Sequence, residues 1–242
     1  LATLTGLFRE TGGALTASTG TLSLHTMTVS ASGVLTVASG QTLAVSGNLS
    51  VNGTYSGAGS TLTFSGNPGT WSCNPGGQDF GSVSIVAGTT TLSSNVLVSG
   101  NLTIASGTTL AVSGSRTVEV QGNMTLVGSG ACTMTTSTVR FTSGSAATLT
   151  TSVLGTFNEL VVDKGSGSLT MASDVSANGT TAISSGTLDV GSHQLTGVTL
   201  TVASGATVHT GGTIWLGGNF HCDGGFTGGG QGTFLNFGGG SV

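Results

Sequence analysis

The feature that most limits the fold of this chain is a series of apolar pairs, each made of two large apolar residues separated by one small or polar residue. Within residues 33–65 the pairs are Leu35/Val37, Leu43/Val45, Leu49/Val51 and Leu62/Phe64. A period of two is the pattern of a β-strand with one buried face. Gly, Ser and Asn surround each pair, and glycine provides the backbone angles that tight turns need. The stretch therefore predicts strands of about three to five residues joined by sharp turns.

The pairs recur at a nearly constant distance along the chain. Examples are Leu43/Val45 and Leu62/Phe64 at 19 residues, Val83/Ile85 and Leu102/Ile104 at 19, and Leu110/Val112 and Cys132/Met134 at 22. A coil of this length stacks each strand on its equivalent one coil later, so the strands pair in parallel around an apolar interior. Because parallel crossovers are nearly always right-handed, the predicted fold is an all-β, right-handed, single-stranded parallel β-helix, a solenoid with about 19–22 residues and about three strands per coil. A β-sandwich is the alternative, but its hairpins give no reason for this spacing.

A longer repeat contains several of these coils. Residues 64–101 match residues 141–178 at an offset of 77, through pairs such as Phe64/Phe141, Leu92/Leu169 and Val98/Val175. The motif VASG at 37–40 also returns as IASG at 104–107 and VASG at 202–205. We expect a single solenoid over residues 1–242, with approximate long repeats 1–66, 67–144 and 145–242. Since the chain does not begin with Met and stops within the pattern, we expect it to be part of a longer or polymerising chain.

Charge and hydropathy argue against two classes of partner. The four basic residues, Arg9, Arg116, Arg140 and Lys164, are scattered through a chain of net charge −4. Nucleic-acid binding needs a clustered basic footprint. No apolar run reaches the roughly 18–20 residues of a membrane-spanning helix. We therefore expect no nucleic-acid partner and no membrane span.

The acidic residues form no pattern typical of catalysis. Polysaccharide-cleaving solenoids need clustered carboxylates, and the chain has no DxD or paired-acid motif. Asp163 and Lys164 are neighbours after a strand, and Glu119 or Arg140 would lie above or below another charge in a coil. We interpret these groups as solvated turn charges and expect no enzyme and no catalytic residue.

The histidines and cysteines form no recognisable ligand set. His221-Cys222-Asp223, with His209 twelve residues earlier, is the densest polar cluster, but its spacing fits no metal-binding motif. His25 and His193 are interpreted as surface residues. Cys73, Cys132 and Cys222 are interpreted as small core residues, with one disulfide as the alternative. We expect no metal and no cofactor.

Three further patterns bear on binding. Thr-x-Thr pairs such as Thr26/Thr28, Thr61/Thr63 and Thr199/Thr201 raise the idea of ice binding, but their spacing does not give one pair per coil. Trp71, Trp215 and Tyr55 are too scattered for a sugar-stacking strip, and both Trp are expected in the core or as end plugs. The five Asn-x-Ser/Thr sites, at Asn48, Asn52, Asn101, Asn123 and Asn178, are only slightly more frequent than chance predicts and are weak evidence for glycans.

The phrase GVLTVASGQTLAVSGNLSV, followed by GSTLTFSG, resembles the Gly/Ser/Thr-rich repeats of large bacterial surface proteins. Autotransporter passengers and filamentous-haemagglutinin-like adhesins are the nearest groups, and the resemblance covers nearly the whole chain. It implies export, cell-surface display and a β-helix used as a stalk, adhesin or fibre. It implies no catalytic residue.

These observations favour a structural extracellular protein, a solenoid segment or subunit of a surface fibre, filament or adhesin stalk. A cut solenoid has an unpaired strand edge at each end, so we expect end-to-end self-association by stacking of terminal coils. Surface glycans are a further candidate partner. The alternatives are a carbohydrate-active β-helix enzyme of the lyase or hydrolase type and a glycan- or ice-binding module.

Overall fold

The computed structural model describes residues 2–66, 69–74, 78–151, 155–228 and 234–237. Over these ranges the chain is an all-β parallel solenoid of about 10 turns without a helix, as the apolar pairs predict. A helix able to cross a membrane is therefore absent from the described ranges. Pro68 and Pro75, which predict an irregular loop or an edge because proline has no N–H to donate to a ladder, lie outside the described residues.

The strands of the described ranges are β1 (Ala2–Glu10), β2 (Ala14–Ala17), β3 (Thr21–Val29), β4 (Val34–Val37), β5 (Thr42–Val45), β6 (Leu49–Val51), β7 (Thr54–Ser56), β8 (Thr61–Phe64), β9 (Gly69–Cys73), β10 (Ser82–Ile85), β11 (Thr89–Leu92), β12 (Val96–Val98), β13 (Leu102–Ile104), β14 (Thr109–Val112), β15 (Thr117–Val120), β16 (Met124–Leu126), β17 (Ala131–Met134), β18 (Thr138–Phe141), β19 (Ala147–Thr150), β20 (Gly155–Phe157), β21 (Glu159–Met171), β22 (Val175–Gly191), β23 (Gln194–Val202), β24 (Thr207–Thr210), β25 (Thr213–Leu216), β26 (Phe220–Cys222), β27 (Gly225–Gly228) and β28 (Phe234–Phe237). Most are as short as predicted. The long strands β3, β21, β22 and β23 continue around corners of the coil, which the turn-rich sequence did not predict.

The strands stack in parallel on three faces. Face 1 contains β5, β8, β10, β13, β16, β19, β24 and β27. Face 2 contains β6, β9, β11, β14, β17, β20, β25 and β28. Face 3 contains β2, β4, β7, β12, β15, β18 and β26. The long strands contribute to two or three faces each.

Each coil sends its apolar pairs inward and its intervening residues outward. A strand such as β8 alternates half-buried Thr61 and Thr63 with buried Leu62 and Phe64. The buried apolar residues form one cluster that extends from Leu24 to Leu216. One continuous interior therefore serves all of the described coils, as predicted for a single solenoid.

The coil length varies slightly more than predicted. Most strands pair with a partner 19–22 residues away, but Thr207 pairs with Gly225 at 18 residues and Met124 with Leu149 at 25. The extra residues of the longest coil lie between β18 and β19, around the corner at Ser143, whose φ is +78°. The differences in coil length occur in the turns, so the strands before and after each turn keep their parallel register.

The 77-residue repeat is not a whole number of coils. Phe64 lies in β8 on face 1, whereas its counterpart Phe141 lies in β18 on face 3. Leu92 lies on face 2 in β11, and its counterpart Leu169 lies on face 1 in β21. The chain visits the faces in the order 1, 2, 3, so the repeat falls one face short of four coils, and it still matches because the three faces use the same pattern of strand and turn.

The VASG motif has a backbone explanation. Its glycines Gly40, Gly107 and Gly205 have φ values of +75°, +74° and +81°. Other residues rarely adopt these angles without strain. The motif therefore ends a strand and turns the chain to the next face.

Face 3 is interrupted between β7 and β12. There a single residue, Asp79, bridges Ser56 and Leu97 instead of a full strand. The side chain of Gln78 replaces part of the missing ladder, since its Oε1 accepts from the Tyr55 backbone N–H and its Nε2 donates to Gly53 O at 2.8 Å.

An aromatic cluster fills the interior beneath this interruption. Tyr55 stacks on Phe80 with ring centroids 4.6 Å apart, and Trp71 meets Phe80 edge-on at 4.9 Å and Phe64 at 5.3 Å. These rings supply apolar volume where the regular strand is missing. The expectation that Trp71 belongs to the core is confirmed.

Candidate functional site

Charged side chains of successive coils form a row on the outside of face 3. Glu119 in β15 is the register partner of Arg140 in β18, and the Arg140 guanidinium donates to the Asp163 carboxylate on the next coil. We call Glu119, Arg140 and Asp163 the charged row. The prediction that Glu119 and Arg140 lie next to another charge is confirmed.

The carboxylates of the charged row are held as hydrogen-bond acceptors. Asp163 accepts from the Ser185 hydroxyl at 2.7 Å as well as from Arg140. These two hydrogen bonds lower the pKa of the Asp163 carboxyl. Glu119 Oε1 accepts from the Thr142 hydroxyl at 2.8 Å. An Asp with a lowered pKa has no proton to donate near neutral pH, so this arrangement suits binding better than general-acid catalysis.

A groove of about 280 Å³ lies beside the charged row, over the interruption of face 3. It is lined by Asn74, Gln78, Asn95, Val96, Leu97, Thr117, Glu119 and Arg140. Leu97 points outward, because the inward positions of β12 are Val96 and Val98. The groove therefore combines an aliphatic floor with a polar rim.

Lys164 contradicts the interpretation of Asp163-Lys164 as solvated turn charges. Its relative accessible surface is 0%, and its Nζ donates to Thr142 O at 2.8 Å and to Ser143 Oγ at 3.2 Å on the preceding coil. It also reaches Gln121 O at 3.4 Å, two coils back. Burial lowers the pKa of the Lys164 amine. The sequence indicated that Lys164 lies in the turn after a strand, whereas it lies within β21, at the inward position that follows Leu160 and Val162.

The predicted polar cluster at His221-Cys222-Asp223 is only partly assembled. His221 Nε2 and Asp223 Oδ2 are 2.9 Å apart and both side chains are exposed. His209 instead lies on face 1 beside its register partner Asp189, in a groove of about 420 Å³. No group of three or more His, Cys, Asp or Glu side chains within the described ranges is arranged to hold a metal ion.

The remaining histidines have polar neighbours. His25 Nδ1 lies 3.0 Å from Ser46 Oγ and is exposed, as expected of a surface residue. His193 Nδ1 lies 3.7 Å from Asp174 Oδ1, a pairing across coils that the isolated His in the sequence did not predict.

The cysteines are all free thiols in the structure. Cys73 and Cys132 are buried, which confirms their interpretation as core residues, whereas Cys222 is only half-buried. Burial raises the pKa of the Cys73 thiol to about 11 and that of Cys132 to about 12. Neither buried thiol is therefore a nucleophile near neutral pH.

Face 1 carries two parallel rows of small polar side chains, which the sequence argument missed. The outward pairs on successive coils are Thr21/Ser23, Thr42/Ala44, Thr61/Thr63, Ser82/Ser84, Asn101/Thr103, Asn123/Thr125 and Thr148/Thr150, in which Ala44 is the one apolar member, and Thr170 is the register partner of Thr148 on the next coil. The Thr-x-Thr pairs considered from the sequence lie on different faces, but Ser and Asn complete the rows on face 1. Thr-x-Thr pairs themselves do not occur once per coil, as the sequence indicated, because on this face only Thr61/Thr63 and Thr148/Thr150 are of that type.

Trp215 corrects another expectation. It lies on the outside of face 2, between Thr196 and Asn236 in the register, and is 44% exposed. It is not a core residue, because the inward positions of β25 are Ile214 and Leu216.

Asparagine side chains connect successive coils at three of the Asn-x-Ser/Thr sites. The Oδ1 atoms of Asn48, Asn101 and Asn123 accept backbone N–H groups of Thr70, Asn123 and Thr148 at 3.0, 2.9 and 2.8 Å. The recurring Gly-Asn motif at 47–48 and 122–123 therefore has a structural role.

Comparison of the chain with protein-family models, curated proteins and solved structures found no match.

Proposed function

We propose that this protein is a structural, non-enzymatic component of an extracellular fibre, filament or adhesin stalk, in which stacked coils build a rod. The observation that carries the proposal is the continuous interior from Leu24 to Leu216, enclosed by parallel ladders on three faces. Such a chain gains length with each added coil and keeps the same cross-section.

The strand edges support assembly by stacking. Within the described residues, β27 pairs only with β24, and β28 only with β25. Strand edges of this kind accept another parallel strand. In this proposal the next coil comes from a second copy, through a head-to-tail contact. A head-to-tail contact that does not close propagates as a filament.

Display at the cell surface is part of the same proposal. It is supported by the resemblance of the repeats to those of bacterial surface proteins and by outer faces rich in uncharged Ser and Thr side chains. The proposal includes self-association as the main partner interaction.

A concentration series tests the stacking. Negative-stain microscopy of the purified chain should show rods that lengthen with concentration. Thr227→Lys places a charge on exposed β27, at the edge coil, and should shorten the rods. Thr103→Lys, on the same face but in an inner coil, is the matched control and should leave their length unchanged. Short monodisperse rods at every concentration would contradict the proposal.

The rows on face 1 favour a second candidate, binding to a regular hydrated surface such as ice or a crystalline glycan. From Thr21 to Thr170 the two rows contain no charged residue, and coil stacking spaces their members about 4.8 Å apart. Inhibition of ice recrystallisation tests this candidate. Thr103→Lys should abolish inhibition, whereas Thr133→Lys on face 2 should not; equal effects of the two variants would exclude face 1.

A further inference from the structure

We propose that the groove on face 3 is a binding site for a neutral oligosaccharide. The site consists of the Leu97 floor and the rim residues Asn74, Asn95, Glu119 and Arg140. The inference adds a ligand site to the rod and does not depend on end-to-end stacking.

The recess follows from the interruption of face 3. Among the described residues only Asp79 bridges β7 and β12, and Leu97 at the base of the recess is one of its two bridge partners. The recess of about 280 Å³ is just below the usual volume of ligand pockets, about 300–1,000 Å³. It therefore suits a short segment of a longer, flexible ligand.

The rim offers both donors and acceptors. Asn95 Oδ1 accepts the Thr117 N–H at 3.0 Å, which directs its Nδ2 donor elsewhere. Asn74 Nδ2 donates to Asn52 O at 3.3 Å, which leaves its Oδ1 as an acceptor. Glu119 Oε1 accepts from Thr142, so Oε2 remains as a second acceptor without a partner within the described ranges. A sugar hydroxyl both donates and accepts, and it matches such a mixed rim.

Charge at the rim selects against ionic ligands. The Arg140 side chain is 44% exposed, but its charge is opposed by Asp163 on one side and Glu119 on the other. An anionic sugar would meet the Glu119 carboxylate, and a cationic ligand would meet the Arg140 guanidinium. A neutral ligand avoids both repulsions and still uses the remaining guanidinium N–H groups.

The floor of the groove, Leu97, also suits a neutral oligosaccharide. Leu97 is half-buried and outward-facing, and it offers an aliphatic surface to the C–H face of a sugar ring. Pockets that combine an apolar surface with a few polar groups fix the orientation of their ligands in this way.

Isothermal titration of the whole chain with maltohexaose, cellohexaose and chitohexaose tests the site, with a hexagalacturonate as the anionic comparison. We expect at least one neutral hexasaccharide to bind with a Kd of about 1 mM or tighter, and more tightly than the galacturonate. Glu119→Gln, which keeps the shape of the rim, should weaken binding about tenfold, the effect of one charge-assisted hydrogen bond.

Leu97→Glu should abolish binding, because it places a charged side chain on the floor. Ala182→Glu, at an outward position of β22 on the same face, is the matched control and should bind like the unaltered chain. Absence of binding to all three neutral sugars, tighter binding of the galacturonate, or equal affinities of Leu97→Glu and Ala182→Glu would each overturn the proposal.

Discussion

The side chain of Gln78 makes hydrogen bonds to backbone groups that a full strand would otherwise satisfy, and its removal should lower the free energy of unfolding of the solenoid. Gln78 is 8% exposed and serves the Tyr55 N–H and the Gly53 carbonyl. Gln78→Met keeps the side-chain length but leaves both backbone groups without this partner. Each unsatisfied buried group costs about 1–3 kcal/mol, so the free energy of unfolding should fall by about 2–5 kcal/mol.

Urea unfolding followed by far-UV circular dichroism measures this loss. Gln41→Met is the matched control, because Gln41 Nε2 makes only a weak, exposed hydrogen bond of 3.5 Å to Ser39 O; its effect should stay within about 0.5 kcal/mol. Hydrogen exchange adds a local readout, since the Tyr55 amide should lose protection in Gln78→Met alone. Equal stabilities of the two variants, with the Tyr55 amide still protected, would refute the role of Gln78.

Three other predictions concern groups inside the coils. Burial lowers the pKa of the Lys164 amine in the folded protein, so between that pKa and the unfolded value of about 10.4 the unfolded chain binds more protons than the folded one. The free energy of unfolding of the unaltered protein should therefore rise relative to that of Lys164→Met as the pH approaches about 10. A difference that stays constant with pH in urea titrations would contradict this. Cys132, with its pKa of about 12, should resist a thiol reagent at pH 8 while half-buried Cys222 reacts, and mass spectrometry of the labelled peptides would detect the reverse order. Gly53→Ala should lower the melting temperature more than Gly40→Ala. A Cβ at Gly53 would lie 2.2 Å from two backbone carbonyl oxygens, whereas a Cβ at Gly40 would meet nothing within 4 Å and would add only the strain of the positive φ. Equal decreases in melting temperature would show that the coils around Gly53 are spaced more loosely than in the structure.

The sequence predicted the coil because its strongest signal is local. Apolar pairs at a period of two identify strands, and the 19-residue recurrence of Leu43/Val45 as Leu62/Phe64 places one strand over the next. Burial and parallel pairing follow directly from these two periods.

The face on which each strand lies depends on the lengths of the turns between faces, and it was not predictable in the same way. Turn lengths vary from coil to coil, so the sequence did not show that Phe64 and Phe141 lie on different faces. The same uncertainty concealed the polar rows of face 1 and the outward position of Trp215.

Side chains that replace backbone partners were also beyond the sequence argument. Lys164 and Gln78 are polar residues in turn-like surroundings, where exposure is the usual outcome. Only the three-dimensional course of the chain shows that Lys164 reaches carbonyl groups of earlier coils and that Gln78 fills an interruption. The candidate groove arises from that interruption and has no sequence signature of its own.

The central claim, that coils of separate chains continue one stack, is tested most directly by cryo-electron microscopy of the chain at high concentration. The account predicts filaments one solenoid wide, with strands about 4.8 Å apart along the axis and an axial rise of about 48 Å per chain for about ten turns. Separate short rods, or bundles in which chains lie side by side without axial continuity, would contradict it.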